Sequence, residues 1–150
     1  MKNSIHGMSE YRRAWVEIDL DALTHNVEEL CSLLPVGCEL MAIVKTDAYG
    51  HGAESISAHL QRAGVKSYGV ATVEEGVNLR ESGLQGEILV LGYTHPDDAE
   101  LMSAYALSQL VFDGAYAKSL DHTGSKINVH IAIDTGMHRL GILYTDIAEI

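Results

Sequence analysis

Ten Lys plus Arg among 150 residues leave few cations, so the place of each one matters. Two of them fall where chemistry is done. Lys45 follows directly on the apolar run Leu40-Met41-Ala42-Ile43-Val44, and Arg139 lies in the loop after Ile127–Ile133. Both are expected at the carboxyl ends of strands, where α/β folds gather their functional residues. A lysine desolvated by apolar neighbours loses proton affinity, which favours the neutral amine that attacks a carbonyl. A lysine whose ammonium reaches solvent along its stem satisfies the same position. Arginine offers a planar, fixed fork for a carboxylate or a phosphate.

The loop Lys45-Thr46-Asp47-Ala48-Tyr49-Gly50-His51-Gly52 holds the densest set of polar groups. Gly50-x-Gly52 follows a strand and precedes a helix, as in a dinucleotide fingerprint, but Ser55 stands where the third glycine belongs. The two glycines are better read as letting the backbone turn tightly into the next helix. No metal site is expected. Cys31 and Cys38 match no zinc spacing and are predicted to be small packed side chains in a reducing compartment. The eight histidines show no His-Glu-x-x-His pattern.

The elements that must position these residues alternate. Trp15–Leu20 alternates apolar and polar residues and predicts a half-buried strand, with Asp21 capping the helix that carries Leu23, Val27, Leu30 and Leu34 up to Pro35. Leu40–Val44 predicts a strand buried on both faces. A helix follows over Ala53–Ala63, with Ile56 and Leu60 inward. Tyr68–Ala71 is a strand, and Thr72 caps a helix to Arg80, with Glu74 and Glu75 suiting the helix dipole. Three further strands are expected at Ile88–Leu91, Gln109–Phe112 and Ile127–Ile133. The helices between them are expected from Thr94 to about Tyr105 and over Ala115–Leu120, and another is expected to begin at Tyr144.

Strand then helix in phase means a parallel sheet with right-handed crossovers. A doubly wound open sheet and the first part of a (β/α)8 barrel both fit. The last unit lacks its helix, so the sequence is read as the N-terminal part of a barrel, behind a polar lead-in over residues 1–13.

With 47% apolar and 21% charged residues, the composition is that of a globular domain able to bury a core. No run nears 18 apolar residues, so no span and no membrane contact are expected of this segment, and the polar start is no signal peptide. A formal net charge of -11 argues against nucleic acid and anionic lipid as partners. The expected location is the cytoplasm.

Residues 45–52 resemble the pyridoxal-phosphate signature of the alanine racemase family. Ile133-Asp134-Thr135-Gly136-Met137-His138-Arg139-Leu140-Gly141 is similar to that family's second motif, and Arg13–Asp19 with Asn26 resembles its opening. The resemblance covers residues 13–150 and extends to the alanine/serine racemases of vancomycin-resistance operons, in which a soluble racemase domain follows a membrane domain. It implies an N-terminal barrel, a C-terminal β domain absent from this chain, and a homodimer acting on a small amino acid. It implies pyridoxal 5'-phosphate as cofactor, with Lys45 as its covalent anchor and as a catalytic base on one face of the substrate carbon. Tyr49 matches the tyrosine bonded to the cofactor phosphate. Arg139 matches the arginine near the cofactor's phenol oxygen and the substrate carboxylate. Asp47 and His51 are read as loop-shaping, and His138 is given no role. No residue here matches the family's second base, a tyrosine of the C-terminal domain.

The resemblance thus implies interconversion of L- and D-alanine for cell-wall peptide synthesis, with serine as the alternative substrate. Rivals are a non-catalytic pyridoxal-phosphate carrier and a decarboxylase or aldolase on the same barrel. The carriers usually lack the continuation Tyr49-Gly50-His51-Gly52.

Overall fold

The computed structural model describes residues 14–147. Five strands form one parallel sheet in chain order: β1 (Met41–Ile43), β2 (Ser67–Val70), β3 (Glu87–Val90), β4 (Ser108–Val111) and β5 (Asn128–Ile131). This order decides between the two architectures. A doubly wound sheet reverses direction at a switch point, whereas successive right-handed crossovers without reversal lay every helix on one face. The sheet is the α/β framework of a barrel's first five units.

The helices are α1 (Leu20–Ser32), α2 (Lys45–Gly50), α3 (Ala53–Arg62), α4 (Val73–Glu81), α5 (Ala99–Ala104) and α6 (Gly114–Asp121); a 3₁₀ turn, Pro96–Asp98, precedes α5. The core lies between sheet and helices. Val44, Tyr68, Val70, Ile88 and Val90 meet Ile56, Leu60, Leu79 and Met102 there, all buried. The opposite sheet face is open at its edge: Ile43 is 39% exposed. The strand over Leu40–Val44 is therefore buried on one face only, because its inner face looks into the space a closed barrel would fill. Gly69 belongs to that face; a Cβ there would stand 2.6 Å from Ile43 Cδ1.

Several elements differ from the sequence prediction. Residues 14–19 form no strand, and Trp15 is 71% exposed. Alternation marks a strand only where a neighbour supplies ladder hydrogen bonds, and none does so among the described residues. Asp19, not Asp21, caps α1: its Oδ1 accepts from the N–H groups of Asp21 and Ala22 at 3.0 and 2.9 Å. Cys31 and Cys38 are free thiols but exposed, on the outer side of α1 and in the loop after it. The last strand is split. After β5, β6 (Ile133–Asp134) leaves the sheet and pairs with β7 (Ile142–Leu143). Tyr144 and Thr145 form a turn, and the rest of the helix expected from Tyr144 lies partly outside the described residues. No helix among the described residues is long and apolar enough to cross a membrane.

Arg80 is a half-buried cation, of the kind that the charge count made worth locating. Its guanidinium donates to four backbone carbonyls: Tyr105 at 2.9 Å, Leu84 at 3.0 Å, Gly86 at 2.8 Å and Ala106 at 2.9 Å. These are the segments entering β3 and β4. Arg80 closes the amino-terminal side of the sheet, opposite the site.

Candidate active site

Lys45 leaves β1 at its carboxyl end, half-buried, directly after the buried Val44. Its side chain is neither fully buried nor fully exposed, between the two readings the sequence left open. Its Nζ stands 6.0 Å from the centroid of the Tyr49 ring, at the outer reach of a cation–π contact. Lys45 forms no ion pair among the described residues. Tyr49 is 61% exposed.

The segment carrying them is not an ordinary loop. Thr46, Asp47, Ala48 and Tyr49 all take left-handed helical angles, with φ between 52° and 56°. For L-residues this costs about 1–2 kcal/mol each, so on the order of 4–8 kcal/mol over the turn. Such strain persists only where the surroundings over-determine it. The fixing contacts are visible. Ala48 donates its N–H to Val44 at 2.9 Å, and Gly52 donates to Asp47 at 3.0 Å. Asp47 Oδ1 accepts from the Ala53 N–H at 2.7 Å, capping α3 from outside it, and the His51 ring holds the Ala48 carbonyl at 2.8 Å. Asp47 and His51 shape the turn, as expected of them. Gly50 and Gly52, at φ 85° and 91°, carry the chain back into right-handed α3.

The second motif is built around Asp134. Its Oδ1 accepts from the N–H groups of Gly136 at 2.9 Å and His138 at 3.0 Å, and its Oδ2 meets His138 Nδ1 at 2.9 Å. The N–H of His138 and then that of Gly136 hold this carboxyl below the usual aspartate range. Arg139 follows, exposed, with no ion pair among the described residues.

The structure joins Lys45 with Tyr49 but does not bring Arg139 to them. β1 and β5 are the two edges of the sheet, four inter-strand steps of ~4.8 Å apart, or roughly 19 Å laid flat. In an eight-stranded barrel the first and fifth strands face each other across the lumen, so closure sets the two motifs opposite one another. Sequence reasoning missed two residues. His138 was given no role, yet both its backbone and its ring hold Asp134. Glu75 was read only as a partner for the helix dipole, yet its carboxylate bonds the backbone beside Lys45. The Thr72-x-x-Glu75 spacing of a capping box was the available signal that this side chain folds back. Among the described residues no cluster of three or more metal-ligating side chains occurs.

Known proteins resemble this chain in sequence and in fold. An amino-acid racemase of Enterococcus faecalis is 45% identical over 134 residues, which are 89% of this chain and 19% of that protein. An alanine racemase of Nostoc is 44% identical over 145 residues, covering 92% of this chain and 38% of the relative. The solved alanine racemase of Bacillus anthracis with bound L-Ala-P superposes with a TM-score of 0.81 at 34% identity, over 91% of this chain and 36% of that one. The chain thus spans between a fifth and two fifths of the length of these relatives. The family model described as alanine racemase, N-terminal domain, matches residues 18–150, both motifs included. The chain belongs to that family.

Proposed function

We propose that this chain is the cofactor-anchoring portion of a pyridoxal-phosphate-dependent amino-acid racemase with alanine as substrate, acting in the cytoplasm as a homodimer. The observation that carries the reading is Lys45. Its primary amine has no ion-pair partner among the described residues, stands beside the exposed phenol of Tyr49, and is mounted on a strained turn at the carboxyl edge of a parallel sheet. An amine free of carboxylates suits an aldehyde, and a phenol and a guanidinium suit a phosphate and a carboxylate, so the residues present fit the cofactor.

Bound pyridoxal phosphate supplies an electron sink that makes the amino acid's α carbon acidic. Lys45 would anchor the cofactor covalently and, once the substrate's amino group has displaced it, its freed amine would take or return a proton on one face of that carbon. Tyr49 would donate its hydroxyl to the phosphate, and Arg139 would orient the substrate carboxylate with its guanidinium. Inversion needs a second proton carrier on the opposite face, and we assign it to a part of the enzyme outside the span covered here.

The test is borohydride reduction of the holoenzyme followed by peptide mapping, with chiral analysis of the products from L-alanine and L-serine. Pyridoxyl on Lys45 and formation of D-alanine are expected. Label on Lys66 or Lys118, or decarboxylated product, overturns the reading.

A further inference from the structure

Lys45 is bracketed by two backbone anchors. On one side Val44 donates its N–H to Gly69 of β2 at 2.8 Å, an ordinary ladder bond. On the other side the anchor is a side chain. Glu75, in the first turn of α4, accepts the Thr46 N–H on Oε1 at 2.7 Å and the Ala71 N–H on Oε2 at 2.7 Å. Thr46 is the first residue of the left-handed turn, and Ala71 directly follows β2. One carboxylate therefore ties the chain immediately after Lys45 to the end of the neighbouring strand.

We propose that Glu75 is a positioning residue for Lys45, holding the left-handed turn in register with β2 so that the lysine amine presents to the cofactor. This rests on the racemase reading above. In a capping box the third-position glutamate reaches back to the N–H of its own N-cap residue. Here Thr72 still caps, its Oγ1 accepting from the Glu75 N–H at 3.4 Å, but the glutamate reaches past Thr72 to Ala71 and across to another β/α unit. A helix cap alone does not need the second contact. The turn does: the Thr46 N–H lies in its first residues and has no carbonyl of the turn itself to bond, and charged acceptors make the strong hydrogen bonds. Both oxygens are engaged, so the side chain cannot swing without releasing one unit from the other. A glutamine in its place accepts on one atom only and sets an NH2 donor against the other N–H.

The test uses the full-length enzyme that carries this chain, with Glu75→Gln and, as a control in the same helical turn, Glu74→Gln. Amide exchange is measured first, on protein stripped of cofactor. For Glu75→Gln the peptide over residues 45–52 should exchange at least about ten times faster, while peptides of β3 and β4 stay as in the wild type. In the holoenzyme kcat should fall about 10- to 100-fold with KM changed less than about threefold, the scale of a lysine misplaced by a fraction of an ångström to an ångström. Glu74→Gln should change neither. Unchanged exchange over 45–52 overturns the proposal, as does a rate loss that Glu74→Gln shares. If Glu75→Gln does not fold, Glu75→Asp, which keeps the charge and reaches one N–H, carries the same comparison; failure of both to fold makes Glu75 a folding residue and also overturns it. Failure of the racemase reading shows separately, as wild-type enzyme that takes up no cofactor at Lys45, because the exchange measurement is made without cofactor.

Discussion

His138 grips Asp134 twice, with its backbone N–H at 3.0 Å from Oδ1 and its ring Nδ1 at 2.9 Å from Oδ2, while sitting at φ 53°. The ring bond offsets part of what that left-handed angle costs a non-glycine residue.

This sets an order among substitutions at 138. Glycine adopts the angle freely, whereas alanine keeps a penalty of about 1–2 kcal/mol. Both substitutions remove the bond between ring and carboxylate, which is worth only ~0–1 kcal/mol because the His138 side chain is 73% exposed. His138→Gly should leave stability within about 1 kcal/mol of wild type, with His138→Ala about 1 kcal/mol below the glycine variant. Urea midpoints check the order, and an alanine variant as stable as the glycine variant would contradict it.

Asp134 predicts an acid limb of stability. Its carboxyl lies below the usual value of 3.8, first through the His138 N–H and then through that of Gly136. A depressed folded pKa contributes stability that is fully present above the unfolded pKa and is lost as pH falls through the folded one. The stability difference between wild type and Asp134→Asn should therefore hold steady from neutral pH down to about 5 and shrink below about 4. Thermal unfolding at a series of pH values reads this directly. A difference that grows on acidification would refute it.

Arg139→Lys keeps the charge but loses the fork. Under the proposed function the holoenzyme should retain cofactor while kcat/KM drops about 10- to 1000-fold, or ~1.4–4 kcal/mol of transition-state stabilisation. Steady-state kinetics with cofactor content determined spectroscopically decides it, and wild-type kinetics would place Arg139 at the surface with no part in the reaction.

Arg80→Ala removes four carbonyl partners from one guanidinium and leaves the chain entering β3 and β4 untied. A loss of about 2–4 kcal/mol is expected, with Arg80→Lys recovering little because an ammonium cannot span the four acceptors. Chemical denaturation measures it. If Arg80→Ala costs under about 0.5 kcal/mol, the clamp contributes nothing.

The sequence by itself determined where the five strands of the sheet lie, because short apolar or alternating runs between capped amphipathic segments leave little else for the chain to form, though not that the last run, Ile127–Ile133, would split between two sheets. It also determined the two motifs with Lys45, Tyr49 and Arg139, whose spacing is local. The turn around Gly50 and Gly52 was legible as well, since a backbone need for positive φ accounts for the two glycines better than a dinucleotide fingerprint that lacks its third. What depended on distant partners was decided by the tertiary structure. Strand order excluded the doubly wound sheet, a matter of which strands pair and not of which strands exist. Trp15–Leu20 alternates correctly and still forms no strand, because its ladder must come from elsewhere. Thr46–Tyr49 carries little mark of left-handedness, since among its side chains only that of Asp47 is of a type that visits the angle readily. The angle is held from outside by Glu75, 29 residues along the chain from Thr46. The grip of His138 on Asp134 spans four residues, but it comes with a backbone angle at His138 that local propensity disfavours, so it too appeared only once the chain was folded.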